Sequence, residues 1–259
     1  MPNSKHPFLN FQVDHMTLLV DPRMYNMVYI IFRILFGVST SDVIYEKKKE
    51  WITGSGEKSM TYAVKVGINP DESSVLRNTI IAVVQPSEPE SQPSHVREML
   101  KTHVASAHWQ HIALRTNDLL SFHKYAIDRG VNFITPILKD KDEDVIQVFS
   151  GEWYLPGEKP SGLFFEFVQR NPSDVLLKKL EEHNRQSWFK DTTFLGLYGE
   201  KEREYQAKKV IPFIDQKLFE ELYLTFKSKN VWDIKEEDIN KTEQLMLDYA
   251  KKKLSKALS

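Results

Sequence analysis

Three side chains sit where their neighbours argue against them. In the string FFEFVQR, Glu166 is bracketed by Phe164, Phe165, Phe167 and Val168, and the strand face it would share carries Phe164 and Val168. A carboxylate buried there without a partner costs several kcal/mol, so a proton, a cationic side chain or a metal must neutralise it. His111 lies mid-strand in WQHIALRT, on the face of Trp109 and Ala113. His15 lies mid-strand in FQVDHMTLLV, on the face of Val13 and Thr17. A lone strand histidine is usually a hydrogen-bonded core residue. Two histidines at matching positions together with a buried carboxylate form instead a nitrogen and oxygen donor set, the 2-His-1-carboxylate arrangement that leaves open positions on a non-haem Fe(II)-type ion.

The elements that must position these residues recur in order. Phe11 to Val20 alternates as a strand, Asp21-Pro22 opens a helix to Phe36, and Gly37 stops it. Strands are expected over Val43 to Thr53, Ser59 to Ile68 and Asn78 to Gln85. A connector rich in Pro, Ser and Glu turns helical from His95 to Val104. The order then starts again, with a strand from Trp109 to Thr116 and a helix capped by Asp118 and ended by Gly130. Further strands are expected over Val131 to Leu138, Val145 to Ser150 and Leu163 to Gln169. Two tandem βαβββ units imply an α+β domain over residues 1–172 whose halves pair around a cup, since neither covers its own apolar face. His15 and His111 then occupy equivalent opening strands, which are expected to face each other, and Glu166 the closing strand of the second unit. Residues 173–259 read as a mainly helical extension, with Ser173-Asp174, Asp215 and Asp233 at helix starts.

Composition narrows the chemistry. The 259 residues carry 35 Lys and Arg against 36 Asp and Glu, a formal charge of -1, which offers no field to attract nucleic acid or an anionic membrane. The chain has no cysteine, which removes disulfides, thiolate ligands and cysteine nucleophiles together. Its start, MPNSKHPFLNFQVDH, lacks the apolar core of a secretory signal, and the most apolar stretch, Met24 to Phe36, falls short of the roughly 20 residues of a membrane span. A cytoplasmic protein is the expectation.

The strings QHIALRTND (residues 110–118), FFEFVQR (164–170), VDHMTLLV (13–20) and DVIQVFSG (144–151) resemble the catalytic half of the 4-hydroxyphenylpyruvate dioxygenases, in the vicinal oxygen chelate (glyoxalase/bleomycin resistance-like) superfamily. The first two strings together are the specific ones. The resemblance spans residues 11–170 and implies an Fe(II), or another divalent metal, held by His15, His111 and Glu166. It further implies a 2-oxo acid or aromatic acid chelating the metal, with dioxygen at the remaining site. Gln147 falls on the family's substrate-contacting glutamine, and Gln85 on a polar substrate contact. The family's Gly-Asn-Phe segment, which leads into an aromatic lid, has no match after Arg170, so Phe194 and Tyr198 are the lid candidates by loose analogy. Other metalloenzymes of the superfamily remain open alternatives, whether extradiol dioxygenases or divalent-metal isomerases and epimerases, as does a non-catalytic module that keeps the metal. A homodimer through the helical tail is compatible with the sequence.

Overall fold

The computed structural model describes residues 7–66, 79–139, 144–155, 157–184 and 193–257. Along the chain run β1 (Gln12–Val20), α1 (Pro22–Phe36), β2 (Val43–Lys49), β3 (Lys58–Val66), β4 (Thr79–Val84), α2 (His95–Thr102), β5 (Ala107–Arg115), α3 (Leu119–Ile127), β6 (Leu138–Lys139), β7 (Val145–Glu152), β8 (Phe164–Arg170), α4 (Asp174–Asn184), α5 (Thr193–Ala207), α6 (Gln216–Phe226) and α7 (Glu236–Ala257). This is the doubled βαβββ order that the sequence predicts, followed by helices. Among the described residues no helix is long and apolar enough to cross a membrane. The expected strand ends at residues 67, 68 and 78 lie outside the described residues.

The chain divides into two compact units, one of residues 12–115 with 198–209, the other of the remainder. In the first, the strands run in the order β2-β3-β4-β1-β5, with β4 parallel to β1 and β5 antiparallel to it. The equivalent opening strands β1 and β5 therefore hydrogen-bond edge to edge, where the sequence reading had them facing each other. Helix α1 forms where local signals put it. The Asp21 carboxylate accepts from the Arg23 amide, Pro22 occupies the first turn, and Gly37 closes the helix at φ 67. Its Tyr25, Val28 and Phe32 pack on Val20, Tyr62, Val64 and Val83. Alternation along the strands sends His15 and Thr17 of β1 to the other face of this sheet.

In the second unit the order is β8-β7-β6, antiparallel throughout. Asp118 caps α3 by accepting from the Ser121 amide at 3.1 Å. The strand expected over Val131 to Leu138 shrinks to Leu138–Lys139 with isolated bridges at Val131 and Phe133. Its ladder is interrupted for a physical reason: the Asn132 amide donates to Phe213, and Pro136 has no amide to give. The core of this unit gathers Ile134, Leu138, Phe149, Phe164 and Leu197. Asp215 precedes α6 as expected, whereas α7 begins at Glu236, with Asp233 closing a short 3-10 turn before it.

Candidate metal centre

Two β-bulges build the histidine pair. Along the β1–β5 ladder the register skips Asp14, because Val13 pairs with Leu114 and His15 with Ala113. It skips again at Gln110, because Thr17 pairs with His111 and Leu18 with Trp109. In a regular strand the residue before a histidine points to the opposite face. A bulge lifts that rule and re-aims the side chain. Each extra residue accordingly turns back onto the histidine that follows it: Asp14 Oδ1 lies 3.1 Å from His15 Nδ1, and Gln110 Oε1 lies 3.1 Å from His111 Nδ1. The same device thus appears once in each repeat.

The consequence is chemical. A carboxylate oxygen only accepts, so the Asp14 contact places the His15 proton on Nδ1; the Gln110 oxygen, oriented as it is, asks the same of His111, which would leave each Nε2 lone pair for a ligand-binding role. The rings are 5.6 Å apart at 78°, and one ligand nitrogen on each lies within 4.8 Å of the other. His111 is buried, as are Asp14, Thr17 and Gln110, while His15 is half-buried. The Thr17 hydroxyl sits 2.9 Å from His111 Nε2, a group able to donate to the lone pair or to turn aside. Arg115 Nε stands 4.0 Å from Asp14 Oδ2, a second charge on the carboxylate that orients His15.

In the other unit Glu166 is 3% exposed on β8, directly opposite Phe149 of β7, as its apolar surroundings in the sequence required. Gln147 pairs with Val168 in the same ladder, so it shares the Glu166 face and lies on a diagonal from it. Among the described residues, His15, His111 and Glu166 make up the group of three donor side chains that could hold a metal ion. Their chemistry fits a divalent ion of intermediate hardness: two imidazoles, each with its Nδ1 beside an accepting oxygen, and a carboxylate kept from water.

The remaining expected site residues lie as follows. Gln85 directly follows β4, and its side-chain amide donates to the Ser59 carbonyl at 2.8 Å. It lines an open cleft of about 940 Å³ together with Arg23, Lys58, Arg97 and Lys101. Tyr198, in α5, is buried: its hydroxyl donates to Glu88 Oε1 and its ring meets His95 edge-on at 4.1 Å. Phe194 belongs to the first turn of α5, and its side chain lies outside the described residues. Asp14, Gln110 and His95 were missed from the sequence. Asp14 and Gln110 had a signal, since each immediately precedes a candidate ligand in an equivalent strand.

No family model matches this chain, and no curated protein does. Among solved structures, a mutant 4-hydroxymandelate synthase from Streptomyces coelicolor superposes with a TM-score of 0.46 at 17% identity, over 68% of this chain and 54% of that one. The methylmalonyl-CoA epimerase of the same organism gives 0.41 at 15% identity, over 62% of this chain and 98% of that one. The epimerase of Mycobacterium tuberculosis gives 0.40 at 15%, over 62% and 88%. The chain spans about half the length of the 4-hydroxymandelate synthase.

Proposed function

We propose that His15, His111 and Glu166 hold one divalent metal, Fe(II) in the working protein, and that the protein is a dioxygenase acting on a 2-oxo acid or an aromatic acid that chelates the metal. The observation that carries this reading is the pair of imidazoles with both Nδ1 atoms engaged by bulge residues, an arrangement that spends two buried polar groups on presenting two Nε2 lone pairs. Three protein ligands leave open positions, and the bound metal supplies a site where a chelating acid and dioxygen meet.

The chain's own residues have definable tasks. Asp14 and Gln110 hold the imidazoles in the ligand-ready tautomer. Glu166 brings the negative charge that offsets the ion. Gln147, on the Glu166 face of its ladder, offers an amide to hydrogen-bond the substrate and orient it. Phe149 and Val168, both buried, keep water from that face.

Two experiments test this. Anaerobic titration of the Fe(II)-loaded protein with a panel of 2-oxo acids should give the visible charge-transfer band of bidentate chelation, followed by oxygen uptake on admitting air. Turnover without oxygen on Mn(II), Ni(II) or Zn(II) would replace the dioxygenase with an isomerase or epimerase, and no turnover with any metal would leave a binding module. Separately, Glu166→Ala, His15→Ala or His111→Ala should abolish stoichiometric iron binding, and a triple variant that still holds one iron per chain would refute the site.

A further inference from the structure

Behind His111 a chain of buried polar groups continues away from the candidate metal centre. Gln110, 5% exposed, faces His111 with its oxygen and His95 with its nitrogen, the latter at 3.3 Å from His95 Nε2. His95, at the start of α2, is 3% exposed, and its Nδ1 is buried without a hydrogen-bond partner among the described residues. That atom lies 3.9 Å from a carboxylate oxygen of Glu202 in α5, the same oxygen that accepts the His95 backbone amide.

These contacts allow two internally consistent arrangements. In one, His95 carries its proton on Nδ1, its Nε2 accepts from the Gln110 amide, and the Gln110 oxygen accepts from His111 Nδ1–H. In the other, the Gln110 amide is turned over, His95 carries its proton on Nε2, and the Gln110 nitrogen donates to His111 Nδ1. The second arrangement forces the His111 proton onto Nε2, where it blocks a metal. Thr17 does not choose between them, because its hydroxyl donates or accepts equally well at His111 Nε2. Glu202 does choose: its carboxylate beside His95 Nδ1 favours a proton at that atom. His95 stays neutral, since burial and then the nearby Lys201 push its pKa down to about 3, so it remains able to accept.

We propose that Gln110 and His95 are positioning residues that lock His111 in its Nε2-ligating tautomer, with Glu202 setting the direction of the lock. The proposal deepens the metal reading above and rests on it for its purpose, but the tautomer is a property of the metal-free chain. It is tested on the full-length, metal-free protein, labelled with 15N, by long-range proton–nitrogen spectra that report which nitrogen of His111 carries the proton. The wild-type protein is expected to show Nδ1–H alone. Gln110→Leu removes the acceptor and His95→Leu frees the amide to turn, and both are expected to populate the Nε2–H form. Gln110→Glu keeps an accepting oxygen and is expected to restore Nδ1–H. Co(II) affinity, read by competition with a chelator, should fall roughly 10- to 100-fold in the two leucine variants and recover in Gln110→Glu.

An Nε2–H tautomer in wild-type protein overturns the lock whatever the variants do, and so does an unchanged Nδ1–H form in both folded leucine variants. If the tautomers shift as expected while the wild-type protein takes up no Co(II), the lock stands and the metal reading fails.

Discussion

Lowering the pH from about 7 to about 5 is expected to remove about 2 kcal/mol of folding stability through His95 alone. The imidazole is buried among Tyr198, Lys201 and Glu202 of α5, Gln110 of β5 and Ser94 ahead of its own helix, with Glu88 reaching the same cluster through Tyr198. Burial first, and Lys201 second, push its pKa from the ordinary 6.5 down to about 3. The folded chain therefore refuses a proton that the unfolded chain accepts. The stabilising contribution is complete above the unfolded value of 6.5, declines by up to about 1.4 kcal/mol per pH unit below it, and is exhausted near 3. Urea denaturation of the wild type and of His95→Gln across this range isolates the term, because the other seven of the eight histidines cancel in the difference. The two stability profiles should converge as the pH falls. Profiles that run parallel from about pH 7 to about pH 4.5 would refute the assignment of a neutral, desolvated His95.

Other perturbations have equally definite outcomes. Asp14→Asn exchanges a carboxylate that can only accept for an amide that can turn its nitrogen to His15 Nδ1, and should weaken Co(II) or Fe(II) binding roughly 10- to 100-fold in a chelator competition. Gly151→Ala would put a Cβ 2.3 Å from the Pro212 carbonyl oxygen and 2.5 Å from its carbon, both backbone atoms that cannot move alone, so a loss of about 1–3 kcal/mol or more is expected in thermal melts. Phe149→Ala, at a site 2% exposed opposite Glu166, should cost about 3–5 kcal/mol in urea unfolding.

Some of this molecule was legible before any coordinates. The ends of α1 were, because Asp21, Pro22 and Gly37 act through contacts within a few residues, and so was the cap of α3 at Asp118. The burial of Glu166 and His111 followed from their apolar neighbours. The shortening of the strand after Val131 was not legible: its apolar alternation says nothing of Phe213, 81 positions further on, taking the Asn132 amide. The same holds for the contact of the Tyr198 hydroxyl with Glu88, 110 positions away.

The sequence alone determined which residue types could chelate a metal, that they fall at equivalent places in a repeat, and that thiolate chemistry is excluded, since these depend on composition and on strand periodicity. Only the tertiary structure decided how the histidines are presented. A bulge exists only as a mismatch between two paired strands, and the links from Gln110 to His95 and from His95 to Glu202 join three elements that no local pattern relates.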